Sequence, residues 1–397
     1  MSGWSRTTMK DIVLGLYDGP HATPPVADDG PVFLGIGNVT EDGHLDLSQV
    51  RHIAEEDFGA WTKRIVPAPG DIVFTYEATL NRYAIIPTGF RGCLGRRMAL
   101  IRPDERKVDT RFLFYTFFGA AWRETIEAHR LSGATVDRIP LSKFPSFPID
   151  LPDLVTQCRI AEILGAYDDL IKVNRRRVAL LEDMARGLFE EWFVRFRFPG
   201  HEAVAMVETP DGFRPSTWSL VRLDDILVLQ RGFDLPAPVR SVGPYFVISA
   251  SGRHGTHTEA KVKGPGVVTG RSGTIGKVHL IFEDHWPLNT TLYVKQFKRG
   301  GPAFARQLLV HLDLASSSSG SAVPTLNRNH VHGLQIAVAS DDVLDRYEAT
   351  AMGWLTLANT LNNQSETLAA CRDLLLPRLI SGQLSVAAAE CELLEAA

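Results

Sequence analysis

"LGAYDDLIKVNRRRVALLEDMARGLFEEWF", residues 164–193, lies in the middle of a 397-residue chain and carries a very regular hydrophobic pattern. Its apolar residues recur at alternating steps of four and three, which is the spacing of a coiled-coil seam. No proline interrupts residues 153–197. The stretch therefore predicts a long helix over residues 151–197 that packs along a second helix.

The predicted seam of this helix contains one amide, Asn174, among apolar and aromatic residues. Its members are Ile160, Leu164, Tyr167, Ile171, Asn174, Val178, Leu181, Ala185, Leu188 and Trp192. An asparagine in such a seam lowers stability but fixes the register when a polar group faces it. The sequence should therefore contain a partner helix with polar residues at its middle.

Residues 339–384 meet this requirement. Asn359, Asn362, Asn363 and Gln364 lie at its middle, and Pro377 and Gly382 predict where the helix ends. Its seam is less regular, because Arg372 interrupts it. The apolar positions from the middle of this helix onward are Leu361, Leu368, Leu375 and Leu379. We expect the two helices to pair antiparallel, with Asn174 facing residues 359–364.

Each long helix follows a region with the same order of signals. Strand candidates begin at residues 70 and 266, loop glycines lie at 133 and 320, and mid-helix asparagines at 174 and 363. The offsets are 196, 187 and 189 residues, and near-constant offsets indicate an internal duplication. Residues 110–130 and 302–314 read as further helices.

The predicted fold class is α/β (α+β), with two globular domains, two long antiparallel coiled-coil helices and a pseudo-twofold internal repeat. Its expected parts are a first globular domain (1–150), a central helix (151–197), a linker (198–215), a second globular domain (216–338), a C-terminal helix (339–384) and a frayed tail (385–397).

The composition is that of an ordinary globular protein, with 45% hydrophobic and 22% charged residues. No apolar run is long enough to cross a bilayer, and the N-terminus lacks the apolar segment of a signal peptide. The four cysteines form no CxxC pair, which favours reduced thiols over disulfides or a zinc site. We therefore expect a cytoplasmic protein without a membrane partner.

Positive charge is concentrated in two regions, although the formal net charge is −4. Residues 82–143 carry 12 Lys/Arg against 6 Asp/Glu, and residues 208–338 carry 14 against 9. This distribution predicts two separate surfaces that face an anion such as nucleic acid. Chance clustering of charge is the alternative.

The sequence partly matches several catalytic motifs, but each match is incomplete. Residues 270–278 resemble a phosphate loop, but Arg271 and Val278 stand where the motif requires Gly and Ser/Thr. Glu105 and Lys107 form an acid-x-lysine element without a suitably spaced second carboxylate. We therefore predict no catalytic residue, no metal ligand and no cofactor in this chain. The alternatives are a stand-alone nuclease or nucleotide-dependent enzyme, and a coiled-coil scaffold that binds only protein.

Residue types that contact bases and phosphates are abundant in both basic regions. Arginine suits guanine edges and phosphates, and asparagine suits adenine. The DNA-binding candidates of the first region are Thr75, Tyr76, Asn81, Arg82, Arg91, Arg96 and Arg97. Those of the second are Arg253, His254, Arg271, Ser272, Gly273, Thr274, Lys277, Asn327, Arg328 and Asn329. For each residue, a solvated turn is the alternative interpretation.

The chain resembles the specificity (S) subunits of type I restriction–modification systems. Two stretches carry the resemblance: residues 157–193, from QCRIAEIL to LFEEWF, and the C-terminal run RDLLLPRLISGQL, residues 372–384. Residues 264–278 and 289–294 match recognition-domain patterns of that family less closely. The irregular seam around Arg372 departs from the family's pattern.

The resemblance implies a non-catalytic subunit that recognises double-stranded DNA with a bipartite target. Each globular region would be a target recognition domain for one half-site, and the helices would set the spacing between half-sites. Two modification subunits, which methylate adenine with S-adenosylmethionine, would dock on the helices. Restriction subunits that use ATP and Mg would join this core.

Overall fold

The computed structural model describes residues 3–132, 136–210, 212–314 and 325–396, the side chains of 392–396 excepted. The chain forms two compact units. Unit 1 consists of Met1–Ile171 and Glu366–Ala397, and unit 2 of Lys172–Ser365. Both units combine sheets with helices, so the predicted mixed α/β class with two globular parts is confirmed.

Two long helices stand out among those of the described residues. In chain order the helices are α1 (Met9–Ile12), α2 (Phe58–Trp61), α3 (Thr110–Thr116), α4 (Ala120–His129), α5 (Leu154–Phe189), α6 (Pro302–His311), α7 (Arg328–His332), α8 (Asp341–Ile380) and α9 (Val386–Ala396). A π-helical turn, Glu190–Val194, continues α5. Within these described ranges no helix has the length and apolarity of a membrane span.

The strands of unit 1 are β1 (Ser5–Thr8), β2 (Val13–Asp18), β3 (Ala27–Leu34), β4 (Arg51–His52), β5 (Ile72–Thr75), β6 (Tyr83–Ile85), β7 (Gly92–Leu94), β8 (Met98–Pro103) and β9 (Pro148–Leu151). They form a four-stranded antiparallel sheet in the order β2-β8-β5-β6 and a three-stranded sheet in the order β4-β3-β7. The pair β3 and β7 is parallel, and β1 pairs with β9.

The strands of unit 2 are β10 (Met206–Thr209), β11 (Gly212–Pro215), β12 (Ser219–Arg222), β13 (Leu227–Arg231), β14 (Tyr245–Ser249), β15 (Gly252–His257), β16 (Gly266–Gly270), β17 (Val278–Ile281), β18 (His285–Pro287), β19 (Thr291–Phe297) and β20 (Gln335–Val338). Their sheets, β13-β19-β16-β17 and β15-β14-β18, repeat those of unit 1 strand for strand, and β12 pairs with β20 as β1 does with β9. The predicted internal repeat is therefore present.

The centre of each repeated sheet follows from its sequence. All residues of β5 and β16 are buried, which explains why both strands read as continuous apolar runs rather than alternating patterns. In unit 1 the sheet packs on a core that includes Phe112, Phe117 and Trp122. In unit 2 the equivalent sheet packs on α6 through Leu308.

Within each unit, one part of α5 packs with one part of α8. In unit 1, Ile160 and Leu164 near the start of α5 share a core with Leu375 and Leu379 near the end of α8. In unit 2, the hydroxyl of Tyr347 near the start of α8 donates to a carbonyl near the end of α5 at 3.0 Å. In both units the start of one long helix packs with the end of the other, as in an antiparallel helix pair. Every predicted seam position is buried or half-buried.

Arg372, which interrupts the second seam, forms an ion pair with Asp168 of α5. Their side chains are only 13% and 18% exposed, and Asp168 also accepts a hydrogen bond from the Tyr115 hydroxyl at 2.6 Å. The irregular position is therefore a shielded ion pair that joins α3, α5 and α8 in unit 1.

Asn174 is 2% exposed, as its seam position predicts. Its amide nitrogen has no hydrogen-bond acceptor among the described residues. Asn359, Asn362, Asn363 and Gln364 therefore do not accept a hydrogen bond from this nitrogen, and that Asn174 faces them stays a prediction.

The structure corrects three local predictions. Residues 110–130 form two helices, because the chain breaks around Gly119, where a Cβ atom would overlap Ile380. Pro377 lies inside α8, which ends three residues later. The tail 385–397, predicted to be frayed, contains α9. After a turn at Gly382 (φ +70°), apolar residues of the tail reach the core of unit 1.

Two further expectations concern segment boundaries. The linker 198–215 contains the β10–β11 hairpin and begins with Phe198, which packs with Trp218 and Val343 in a small apolar cluster. The glycines at 133 and 320, used to align the repeat, lie outside the described residues.

Candidate nucleic-acid interface

The predicted DNA-binding residues concentrate in two structurally equivalent connections. Residues 76–82, which we name loop A, join β5 to β6 at one edge of the unit 1 sheet. Residues 271–277, which we name loop B, join β16 to β17 at the same edge of the unit 2 sheet. Loop A and the end of its strand hold four of the predicted residues, and loop B holds five. The duplication therefore places the candidates at one equivalent site in each unit.

The first two candidates of unit 1 point into the protein. Thr75 is 1% exposed and Tyr76 is 5% exposed, and both hydroxyls lack a hydrogen-bond partner among the described residues. Burial raises the pKa of the Tyr76 phenol. Because β5 is buried on both faces, its last residue and the one after it stay in the core. The structure therefore argues against both as surface contacts.

Three predicted arginines of unit 1 form ion pairs at the surface. The pairs are Arg82 with Glu41, Arg91 with Glu55, and Arg97 with Glu77. Exposed or half-exposed pairs of this kind contribute only about 0–1 kcal/mol to stability. A phosphate can therefore compete with these carboxylates for the guanidinium groups.

A groove of about 850 Å³ opens on unit 1 and is lined by Arg96 and Arg97. Arg51 of β4, which the sequence did not single out, lines it as well. The described residues provide no hydrogen-bond or ion-pair partner for the guanidinium group of Arg51 or of Arg96. Asn38 organises the wall, since its amide nitrogen donates to two backbone carbonyls at 3.0 and 3.1 Å. The groove thus offers two unpaired cations over a rigid loop.

A second groove, of about 530 Å³, opens on unit 2. It brings together four predicted residues, namely His254, Ser272, Gly273 and Thr274. It also contains three that sequence reasoning missed, Asp234, Arg240 and Asn289. Asn289 donates to Asp234, and Arg240 donates to the Leu235 carbonyl at 3.1 Å. Residues 288–290 connect β18 to β19, and Arg96 and Arg97 lie in the equivalent connection from β7 to β8 in unit 1. The internal repeat is therefore the signal that could have identified Asn289.

Loop B is held in one conformation by its glycines and backbone. A Cβ atom at Gly270 would overlap the carbonyl of Thr274, and Gly273 has a φ of +82°. The backbone N–H of Arg271 donates to Thr290 at 2.9 Å, and the Lys277 ammonium donates to the Ser251 carbonyl at 3.1 Å. No described residue pairs with the Arg271 guanidinium. The loop therefore presents this group from a fixed backbone.

The remaining predicted residues have local structural contacts. Arg253 lies over the Phe246 ring at 3.9 Å, and the Asn327 side chain caps α7 by accepting from the Asn329 N–H at 3.0 Å. Arg328, on the first turn of α7, is exposed. In unit 1, Asn81 has a φ of +61°, a conformation that asparagine tolerates better than most residues.

The geometry argues against the incomplete catalytic motifs. Loop B joins two antiparallel strands, whereas a phosphate loop leads into a helix whose N-terminus binds the phosphate. Beside Glu105, the Asp104 carboxylate receives two hydrogen bonds of 2.9 Å from Arg106, and the Lys107 ammonium donates to the Asp11 carbonyl. Across the described ranges, His, Cys, Asp and Glu do not gather into a metal-binding cluster.

Residues 32–183 match the family model described as "Type I restriction modification DNA specificity domain". This part of the chain, 152 of its 397 residues, is therefore similar to type I restriction–modification specificity domains. Among its relatives, the type I restriction enzyme MjaIX specificity subunit of Methanocaldococcus jannaschii is 27% identical over 186 residues, 47% of this chain and 42% of that protein. The HindI specificity subunit of Haemophilus influenzae is 27% identical over 207 residues, 49% and 42% of the two chains. The aligned part thus spans less than half of these relatives' length.

The fold of a specificity subunit extends over nearly the whole chain. The crystal structure of the S subunit of a type I restriction–modification system from M. genitalium superposes with a TM-score of 0.61 at 14% identity, covering 95% of this chain and 96% of that one. At this identity the similarity establishes the fold alone. The specificity-subunit fold therefore includes both units and both long helices.

Proposed function

We propose that this chain is the non-catalytic DNA-recognition subunit of a type I restriction–modification complex. One observation carries the proposal: loop A in unit 1 and loop B in unit 2 join equivalent strands at equivalent sheet edges, and a groove opens near each loop. Among the described residues, the side chains of Arg51 and Arg96 in the first groove and of Arg271 in loop B have no hydrogen-bond or ion-pair partner. Two equivalent sites on one chain suit a target made of two half-sites. Phosphate contacts would position the DNA, and side chains in the grooves would read bases.

The basic residues support DNA as the ligand of both grooves. Arg51 and Arg96 in unit 1, and Arg271 in unit 2, have no partner among the described residues, so binding to phosphate or to a guanine edge requires no ion pair to break. The neighbouring hydroxyl and amide groups, such as Ser272 and Asn289, add donors and acceptors for base edges. We propose that each groove reads one half of a bipartite double-stranded target.

The long helices support the second part of the proposal, the docking of modification subunits. On α5, Val173, Leu180 and Met184 are 42%, 61% and 39% exposed. Their spacing of seven and four residues places them on one face of the helix, away from the buried seam. An apolar stripe on a helix whose other face is already packed suits contact with another protein. S-adenosylmethionine, ATP and Mg would be bound by the partner subunits, and the complex would act on DNA in the cytoplasm.

The decisive test is the methylation pattern of the assembled complex. The full chain is co-expressed with the modification subunits of its system, and methylated adenines in host DNA are mapped. A bipartite motif that disappears without this chain supports the proposal. A motif that persists without the chain, or failure of the subunits to co-purify with it, overturns the proposal.

Two substitutions then assign the grooves to half-sites. Arg96→Ala should relax base selectivity in one half-site and Arg271→Ala in the other. A well-made base contact contributes roughly 1–3 kcal/mol of discrimination, so selectivity at the affected position should fall about 5- to 150-fold. Arg222→Ala is the matched control, because Arg222 lies on β12, outside both grooves, and pairs with Asp224. Loss of selectivity in the control, or its retention in both groove variants, would contradict the assignment.

Salt dependence separates this function from that of a protein-only scaffold. Each phosphate contact releases counterions, so the affinity of the complex for its target should fall steeply as salt rises. An affinity that does not change with salt would favour the scaffold.

A further inference from the structure

Each unit connects its interface loop to a long helix through one polar side chain, which is buried in unit 1 and half-buried in unit 2. In unit 1 the side chain is Gln157, in the first turn of α5. In unit 2 it is Glu348, in the second turn of α8. The strands β9 and β20 begin 187 residues apart, as do the helices α5 and α8 that follow them, whereas Gln157 and Glu348 are 191 residues apart. The two residues therefore differ by one helical turn in the aligned repeats, but each lies near the start of the long helix that follows its sheet.

Glu348 caps the N-terminus of α6. Its two carboxylate oxygens accept the backbone N–H groups of Ala303 and Phe304 at 3.0 and 2.9 Å. The residue before α6 is Gly301, which has no side chain to serve as a cap, and a Cβ atom there would overlap the Glu348 carboxylate. The long helix thus supplies the cap that α6 itself lacks. Such a cap satisfies N–H groups that have no partner within the helix.

Gln157 makes the corresponding contact in unit 1. It is 2% exposed, and its side-chain oxygen accepts the backbone N–H of Asp109, the residue that caps α3, at 3.0 Å. Its amide nitrogen donates to the Pro152 carbonyl at 2.9 Å, which fixes the orientation of the amide. Here α3 has its own cap, so a neutral amide is sufficient where unit 2 uses a carboxylate.

The capped helices support the interface loops directly. The helix α6 packs against β16 and β17, the two strands that loop B joins. The helix α3 packs against β6, the strand that follows loop A, and Phe117 at its end stacks on Tyr83 of that strand at 4.7 Å between ring centroids. In each unit a continuous path leads from the long helix through one side chain and one short helix to the loop.

We propose that Gln157 and Glu348 are positioning residues with corresponding roles, each of which fixes the orientation of one interface loop on the long helix beside it. This inference rests on the proposed function. Neither residue lines a groove, so each acts through the short helix that it holds. Burial raises the pKa of the Glu348 carboxyl, and the N–H groups that it accepts oppose this shift. The carboxylate is therefore used for its hydrogen bonds to backbone rather than for contact with DNA.

The test compares base selectivity in the two half-sites for substitutions in the two units. The full chain in complex with its modification subunits is used, and methylated positions are mapped by sequencing. Glu348→Ala should lower discrimination in the half-site affected by Arg271→Ala about tenfold and leave the other half-site unchanged. Gln157→Ala should lower discrimination to a similar extent in the half-site affected by Arg96→Ala and leave the other half-site unchanged. A tenfold change equals the discrimination carried by roughly one base contact.

The conservative substitution Glu348→Gln tests whether hydrogen bonding is what matters. It retains one acceptor oxygen at the site and should keep most of the selectivity that Glu348→Ala loses. Gly301→Ala, which displaces the carboxylate without altering it, should reproduce the effect of Glu348→Ala. If these variants lower the unfolding temperature but leave the selectivity of both half-sites intact, or affect both half-sites equally, the positioning role is wrong. A wild-type complex that yields no bipartite motif would instead refute the proposed function.

Discussion

Replacing Asn174 by leucine should stabilise unit 2, although it alters a buried residue. The amide is 2% exposed, and its nitrogen has no acceptor among the described residues. A buried polar group without a partner destabilises a fold by about 1–3 kcal/mol. Leucine has the same branched skeleton of four side-chain heavy atoms and no polar atom, so the substitution removes this cost. We therefore expect Asn174→Leu to gain about 1–3 kcal/mol.

Calorimetry of the purified chain measures this effect. Because 1 kcal/mol shifts the unfolding temperature of a unit of this size by about 2–4 °C, the transition of unit 2 should rise by about 2–12 °C. Asn362→Leu is the control, since Asn362 is exposed on α8 and its substitution relieves no buried group. That variant should stay within about 0.5 kcal/mol of the wild type. A lower unfolding temperature in Asn174→Leu would refute the reasoning.

The same variant addresses why an amide occupies the seam. An asparagine that defines register sacrifices stability to exclude alternative alignments of the helices. In the methylating complex, Asn174→Leu should therefore accept more than one spacer length between half-sites. A single, unchanged spacer in a stabilised variant would show that the amide has no role in register.

Three further predictions follow from other contacts. Arg372→Met should destabilise unit 1 by about 3–5 kcal/mol, because Asp168 then stays shielded and, among the described residues, keeps only the Tyr115 hydroxyl as a hydrogen-bond partner. In a double-mutant cycle, the double variant with Asp168→Asn should recover part of this loss. Acidification from pH 7.5 to 5.5 should destabilise unit 2, because burial lowers the pKa of His285 in the folded state. The stability that neutral His285 contributes is complete above the pKa of about 6.5 that it has in the unfolded chain, and it is lost as the pH falls below that value. His285→Phe should show a smaller change in unfolding temperature over this range, and an equal change would assign the effect to other groups. Ending the chain after Ser385 should lower the free energy of unfolding of unit 1 by at least about 2 kcal/mol, because it removes the buried Val386 and Ala389 and the Arg159–Glu390 ion pair. Denaturant unfolding measures this loss, and the transition of unit 2 should be unaffected.

The fold could be predicted in outline because its main signals are periodic. The seam from Ile160 to Trp192 identifies its helix from spacing alone, and the constant offset between regions indicates the repeat. Arg372 was harder to interpret, because its partner Asp168 lies 204 residues away in sequence. The tail was misjudged for a related reason. Its short apolar helix becomes buried only against residues from the other end of the chain.

The candidate site was predicted less completely than the fold. Residue type pointed to Arg96, Arg271 and the loop B residues, which do line or flank the grooves. It also selected Thr75 and Tyr76, whose burial depends on the sheet around β5 and not on their own chemistry. Glu348 and Gln157 were missed, because a glutamate and a glutamine on long helices look like ordinary polar residues. Only their hydrogen bonds to backbone N–H groups at the starts of α3 and α6 distinguish them.

Unit 1 is built from both ends of the chain, whereas unit 2 is one continuous segment. During synthesis, all residues of unit 2 are translated before the last part of unit 1. The early segment of unit 1 must wait with an open core until Leu375, Leu379 and Leu384 emerge and cover it. Premature termination near the end of translation would thus leave a nascent protein with one mature half and one aggregation-prone half, so quality control would act chiefly on the half that was made first.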